Sequence, residues 1–303
     1  MTRRQKIVPF LWFDDQAEEA VRRYADIVPE TRPGAVVRYP ERMSEVAGRP
    51  SGSVMTAELE IGGRDLVALN GGPHFAFSPA TSLFLSCADR TEAETTFAAL
   101  AEDGAELMPF QAYPFSEGFG WAVDRYGLSW QVDTEARTER LAPSLLFVGA
   151  QCGRAEEAMT FYTGLFPESG VELVARYEAG EGPDAAGTIK QAVFTLAGRE
   201  FRVMESALDH RFGFTEAVSL QVRCDSQAEI DRLWAALSEG GDPAAQRCGW
   251  LKDRFGVSWQ VTPTALPEML TDADPARARR VADAMLQMGK LEIGRLEAAY
   301  AGP

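Results

Sequence analysis

Apolar and polar positions along this chain follow two periods. Short runs with period two, bounded by Gly, Pro and Asp, mark strands, and longer runs with apolar residues three and four apart mark helices. Ala17, Ala20, Val21, Tyr24 and Ile27–Val28 share one face with charges opposite, which predicts an amphipathic helix covering a sheet. Glu92 to Glu102, with Ala93, Phe97 and Leu100 or Ala101 inward, predicts a second helix, and Gln227 to Leu237 is its counterpart further along. Asp124-Arg125-Tyr126-Gly127 and Asp253-Arg254-Phe255-Gly256 predict tight loops in which Gly takes the left-handed conformation that a Cβ resists. Near the end, Asp274-Pro275 supplies the cap and first turn of a helix whose apolar stripe is Val281, Met285 and Met288, interrupted at Gly289.

The pattern occurs twice. Phe10-Leu11-Trp12-Phe13, Ala17-Glu18-Glu19-Ala20, Tyr24 and Pro29 are answered in order and spacing by Leu145-Leu146-Phe147, Ala155-Glu156-Glu157-Ala158, Tyr162 and Pro167. Gly120 to Val132 (GWAVDRYGLSWQV) and Gly249 to Val261 (GWLKDRFGVSWQV) agree at nine of thirteen positions. An internal repeat of this length sets the architecture. It predicts a first domain over 1–133, a connector over 134–142, a second domain over 143–262 and a helical tail over 263–303, each domain reading strand, helix, strands, twice over.

Strand parity sorts the side chains. In Leu128 to Val132 the apolar Leu128, Trp130 and Val132 point towards the helices, while Ser129 and Gln131 point away. In the same way Leu83, Leu85 and Cys87 are core, whereas Ser82, Phe84 and Ser86 face away; in copy two the outward set is Ser219, Gln221, Arg223, Ser258 and Gln260. Two polar-lined sheet faces result, each either solvent surface or the wall of a cleft.

The 303 residues suit two domains. Thirty Lys+Arg against forty-five Asp+Glu gives a formal charge of −15, which disfavours nucleic acid and anionic membrane as partners. No apolar run approaches the ~20 residues of a membrane span, and the expectation is a soluble, cytoplasmic protein. The four cysteines form no CxxC pair and read as reduced structural thiols, Cys248 included, since no histidine lies near it in sequence. Only two histidines are present, His74 and His210, on roughly equivalent loops; each is either a solvated loop residue or an acid–base group at a cleft mouth. Trp121 and Trp250, which follow Gly, either pack or line the cleft, and Phe75, Phe77, Phe212 and Phe214 suit a lid or an inter-domain seam.

The runs PFLWFDDQAEEAVRRY, ALNGGPHFAFS, CGWLKDRFGVSWQV and DADPARARRVADAMLQMGKLEI resemble the PhnB-like branch of the vicinal oxygen chelate superfamily, the glyoxalase and bleomycin-resistance fold. That branch carries the label 3-demethylubiquinone-9 3-methyltransferase domain. The resemblance implies an α+β fold: two tandem domains of paired βαβββ modules that roll a mixed sheet around a cleft, with the polar face concave. The two domains would pack within one chain as copies do in a homodimer, and a further homodimer stays possible.

Metal-dependent members of the superfamily carry His and acidic ligands on the concave face. Here the resemblance places Ile7, Pro9 and Leu11 on the first strand of copy one, and Ser144 and Leu146 in copy two. Ser82 and Ser219 open the second modules, Gln131 and Gln260 stand on the last strands, and the fourth position falls near Asn70 and Glu205. A neutral Ser/Gln/Asn set does not offset the dehydration of a divalent ion, so neither a metal nor another cofactor is expected. No GxGxG turn supports methyl transfer.

The leading expectation is metal-independent binding or sequestration of a small, partly apolar organic molecule. Its candidate contacts are Asn70, His74, Phe84, Trp121, Gln131, Glu205, His210, Gln221, Arg223, Trp250 and Gln260. The alternative is a lyase, isomerase or oxygenase with an atypical site in copy two, where Glu205 and His210 would be catalytic beside Arg223 and Gln260. In a third reading copy one is a structural partner only.

Overall fold

In the computed structural model residues 5–135 and 137–302 are described; residues 1–4 of the expected first domain, residue 136 of the connector and residue 303 of the tail lie outside them. The elements fall into four modules. The first holds β1 (Ile7–Phe13), α1 (Ala17–Ile27), β2 (Thr31–Arg38), α2 (Glu41–Ala47), β3 (Val54–Ile61) and β4 (Arg64–Asn70). The second holds β5 (Thr81–Ser86), α3 (Arg90–Ala101), β6 (Ala105–Tyr113), β7 (Ser116–Val123) and β8 (Ser129–Asp133). Copy two repeats the plan with β9 (Leu141–Val148), α4 (Ala155–Leu165), β10 (Gly170–Arg176), β11 (Ile189–Leu196) and β12 (Arg199–Ser206). Its second module is β13 (Val218–Cys224), α5 (Gln227–Ser238), β14 (Asp242–Arg247), β15 (Trp250–Lys252) and β16 (Ser258–Pro263). The tail forms α6 (Leu266–Leu270), α7 (Pro275–Leu286) and α8 (Ile293–Ala301).

The predicted helices form, and so does α2, a seven-residue helix that the periodicity did not mark. β9 begins at Leu141, inside the stretch read as connector. Gly127 and Gly256 have φ of 87° and 89°, and each closes its loop by donating its N–H to the carbonyl of Asp124 or Asp253 at 2.9 Å.

Those loops explain the best-matched motif of the repeat. Asp253 is buried and accepts from the Tyr162 hydroxyl at 2.6 Å, the Trp259 indole at 2.8 Å, and the N–H groups of Phe255 and Val257 at 2.9 and 3.0 Å. Asp124 repeats the arrangement with Tyr24, Trp130, Tyr126 and Leu128. A buried carboxylate is tolerable when donors surround it, and each of these ties a helix, a loop and a strand of one copy together.

Cores and sheets are shared out differently. One core joins α1 and α3 through Tyr24, Phe97 and Trp130; another joins α4 and α5 through Tyr162, Leu233 and Trp259. Each copy therefore has an apolar core on the helix side that is mainly its own, the other copy adding Ile7 to one and Leu141 and Val218 to the other. The sheets cross between copies: their strand orders are β14-β15-β16-β13-β1-β4-β3-β2 and β10-β11-β12-β9-β5-β8-β7-β6. In the first sheet β1 of copy one pairs antiparallel with β13 of copy two, and in the second β5 pairs antiparallel with β9. The domains are thus paired βαβββ modules, and each eight-stranded sheet takes one module from each copy.

The tail bridges both copies at the first sheet. Asp274 caps α7 by accepting the N–H of Ala276 at 2.9 Å. Val281, Met285, Met288, Leu291 and Leu296 build a third core with Met43 of α2 and Cys248 of the β14–β15 turn packed against it. Arg42 pairs with Asp283, and Cys248 and Gly249 donate to the carbonyls of Met288 and Gly289. The edge strands of this sheet are β2 and β14, so α7 and its continuation link the copy-one edge to the copy-two edge.

Candidate functional site

Register decides which side chains face away from the helices. In the first sheet Phe10 pairs with Val67 and Ser219, Trp12 with Leu69, Val8 with Gln221, and Trp250 with Gln260. These residues line one face, because the intervening Ile7, Leu11 and Leu220 belong to the helix-side cores. The parity expected for the first strand of copy one was shifted by one: Ile7, Pro9 and Leu11 are buried towards the helices, and Val8, Phe10 and Trp12 face the cleft. In copy two Ser144 and Leu146 lie on the cleft side, as expected.

The first cleft is aromatic above a polar floor. Trp250 meets Phe10 and Trp12 edge-on, with ring centroids 6.1 and 5.9 Å apart. All three are half-buried, whereas Gln260 and Ser219 beneath them are buried, the Gln260 amide donating to the Ser219 hydroxyl at 3.0 Å. Gln221 shares this face. Arg223 lies further along, 3.8 Å from Asp65, beside a recess of about 400 Å³ that Glu58 and Arg32 also line.

The Asn70-Gly71-Gly72 turn positions Trp12. A Cβ on Gly71 would sit 2.1 Å from the Trp12 ring, so only Gly lets the indole lie against that backbone, and the indole N–H donates to the Gly72 carbonyl at 2.8 Å. Phe75 and His74 stand at its edge, with centroids 5.0 and 6.5 Å away; His74 is exposed. No helix follows these glycines, so the turn holds a tryptophan rather than cradling a phosphate at a helix start.

The second sheet presents the equivalent face already filled. Gln131 donates to Ser82 at 2.6 Å, the Trp121 indole to Ser129 at 2.7 Å, and Phe84 packs against Phe119. Arg202, 1% exposed, lies over the Phe84 ring at 3.5 Å and pairs with Glu135 at 3.1 Å and Glu200 at 3.4 Å. Burial pushes the Arg202 pKa down and that of Glu200 up. Phe84 and Gln131 are buried within this layer, and Trp121 is half-buried at its margin.

Asn70 and Glu205 belong to the opposite, helix-facing side, which corrects their expected place beside the ligand positions. Asn70 accepts the N–H of Ala17 at 2.8 Å and Glu205 that of Ala155 at 2.7 Å, so each satisfies the first turn of the helix beneath it. The second Glu205 oxygen accepts from Ile189 at 2.7 Å, so the carboxylate is occupied. His210 is 2.9 Å from the Ser206 hydroxyl, and its ring is tilted by 40° to that of Phe212, with centroids 4.8 Å apart. The suggested set of Glu205, His210, Arg223 and Gln260 is divided, the first two belonging to the second sheet or its loop and the last two to the first sheet.

Sequence reasoning missed Phe10, Trp12 and Arg202. The repeat itself held the signal for Trp12, since Leu146 is its counterpart and was placed correctly. Burial raises Cys87 and Cys224 to about 12, which removes them as nucleophiles.

At the centre of the first face stand Phe10, Val67, Ser219 and Gln260, and at the centre of the second Ser144, Arg202, Ser82 and Gln131. The first set supplies no charge and the second supplies a cation, so these residues do not fit the divalent metal of the wider superfamily. Among the described residues no three His, Cys, Asp or Glu cluster as ligands.

Paired modules with their faces turned to a cleft define the class, a glyoxalase-type α+β protein with two clefts built between tandem copies. The chain belongs to the family described as 3-demethylubiquinone-9 3-methyltransferase, whose model matches residues 5–133 and again 139–262. A PhnB protein from Bacillus cereus is 37% identical over 43% of this chain and 98% of its own, with a TM-score of 0.39. Protein PA1353 from Pseudomonas aeruginosa is 28% identical over 43% and 96%, with a TM-score of 0.36. Glyoxalase I from Zea mays is 12% identical over 89% and 96%, with a TM-score of 0.56, a likeness of fold. No curated protein matches the chain. No helix among the described residues is long and apolar enough to cross a membrane.

Proposed function

We propose that the chain binds a small, partly apolar organic molecule in the first cleft, without a metal, and that the second cleft serves as packed structure. The observation that carries this reading is the half-exposed set Phe10, Trp12 and Trp250 over the Gln260–Ser219 floor. Aromatic faces left partly open above a few fixed polar groups suit a flat ligand that desolvates them. The site needs both copies, since Phe10 and Trp12 come from β1 and Trp250 and Gln260 from β15 and β16. Binding or sequestration is favoured over a reaction because Glu205, the strongest acid–base candidate, is occupied by two backbone donors. Native mass spectrometry of the purified chain tests it: a retained organic mass is expected, and Trp250→Ala should release it. Stoichiometric metal with no organic mass would contradict it.

A further inference from the structure

The first cleft continues to the sheet edge. Trp12 pairs with Leu69, Leu69 with Thr56 and Thr56 with Val37 of β2, so one row of side chains runs across four strands on the cleft face. Three inter-strand steps make this row roughly 14 Å long. β2 then breaks its register: Val37 pairs with Thr56 but the next residue, Arg38, pairs with Val54. The extra residue, Met55, lies on β3, so the bulge bends β3 while β2 keeps its alternation, and at this edge both Val37 and Arg38 reach the cavity beside the strand.

That edge opens into a cavity of about 690 Å³ between β2 with α2 and the C-terminal α6 with α7. Val36, Val37, Met43, Leu270 and Ala282 give it apolar walls. Its charged lining is three arginines, Arg38, Arg42 and Arg279, and two acids, Glu41 and Asp272, in a chain of formal charge −15. Arg42 is engaged by Asp283 and Glu45, and Asp272 accepts the Tyr300 hydroxyl. Arg38 donates to the Gly52 carbonyl at 3.0 Å and pairs with no carboxylate, and Arg279 has no ion pair among the described residues. Two guanidinium groups without an ion pair among the described residues, one from copy one and one from the tail, thus line the cavity at the end of the row that starts at Trp12, in a lining that also holds Glu41 and Asp272.

We infer that this cavity is an anion subsite, and that the ligand of the first cleft is an elongated amphiphile. Its flat apolar body lies along Trp12 and Trp250, and a carboxylate, sulfonate or phosphate group at its end lies between Arg38 and Arg279. Guanidinium suits such groups because its fork of donors matches their oxygens. The inference rests on the proposed binding role of the first cleft and names the ligand class. It also gives the tail a function, since without α7 the cavity loses one wall and one of its two arginines.

Two fluorescent probes test it on the full chain: anilinonaphthalene sulfonate, aromatic and anionic, and N-phenylnaphthylamine, its neutral relative. Both are expected to bind. The double variant Arg38→Gln, Arg279→Gln should weaken the anionic probe at least tenfold and leave the neutral probe unchanged, which also reports an intact fold. Arg277→Gln, an exposed arginine of α7 outside the cavity lining, should change neither, and Trp250→Ala should weaken both. Unchanged sulfonate binding in the double variant would overturn the subsite while leaving the cleft reading in place, as would equal weakening of both probes. Failure of both probes to bind the unaltered chain would overturn the two readings together.

Discussion

Asp124 and Asp253 show how much of a sequence signature can be structural. Each is the acid of a D-R-[YF]-G-[LV]-S-W run, the kind of motif that invites a catalytic reading, and each gives both oxygens to four donors of its own copy. Asp253→Asn should cost about 2–4 kcal/mol of stability in a denaturant titration, because an amide nitrogen turned to those donors leaves some of them buried and unpaired. Burial holds both carboxyl groups above the usual carboxylate range. The folded chain therefore takes up these protons at a higher pH than the unfolded chain. The stability these groups contribute rises as pH falls through the folded pKa, and the rise is complete below the unfolded one. Asn does not titrate, so the deficit of Asp253→Asn should widen from neutral to mildly acidic pH; a deficit that narrows would contradict the assignment. Gly71→Ala should displace the Trp12 ring, visible as a change in tryptophan emission and a loss of neutral-probe binding. Glu205→Gln should lower stability by about 1–3 kcal/mol and leave probe binding unchanged, as expected of a group that holds the first turn of α4.

Elements were legible where the hydrophobic period was long. α1, α3, α5 and α7 follow from apolar residues at helical spacing, and the Gly of each D-R-x-G loop follows from its need for positive φ. The short α2 lacks a full apolar stripe to mark it in the sequence, and the tail packs against it through Met43 and Arg42. The face of β1 was misassigned because Ile7, Pro9, Leu11 and Phe13 alternate with the equally apolar Val8, Phe10 and Trp12, and a strand apolar on both faces carries no parity signal. Asn70 and Glu205 were read as ligand-face residues because nothing in sequence marks a side chain that reaches under its strand to a helix N-terminus fifty or more residues away. Asp283→Asn should loosen the tail by roughly 0.2–1 kcal/mol, the range of a partly exposed ion pair, and raise proteolytic nicking before α7.

Across the whole molecule, tandem repetition was plain in the sequence but the exchange of modules was not, because strand pairing between copies leaves no trace in spacing. Each copy keeps a helix-side core that is mainly its own, yet β1 and β5 of copy one find their antiparallel partners β13 and β9 in copy two. Copy one alone would leave both strands as long unpaired edges, which chains of this kind cover by pairing with another copy. Residues 5–133 produced alone should therefore form a homodimer in size-exclusion chromatography with light scattering, and a stable monomer would contradict the module exchange. The exchange also explains the inequality of the clefts. Arg202 lies over Phe84 in one, while Val67 and Gln221 stand at the matching places of the repeat in the other, beside the half-buried Phe10 and Trp12. The most direct test of this account is a titration with N-phenylnaphthylamine of the full chain and of its Trp250→Ala and Trp121→Ala variants. The account predicts that Trp250→Ala loses most of the binding and Trp121→Ala keeps it. Loss confined to Trp121→Ala, or undiminished binding in both variants, would contradict the assignment of the first cleft as the binding site.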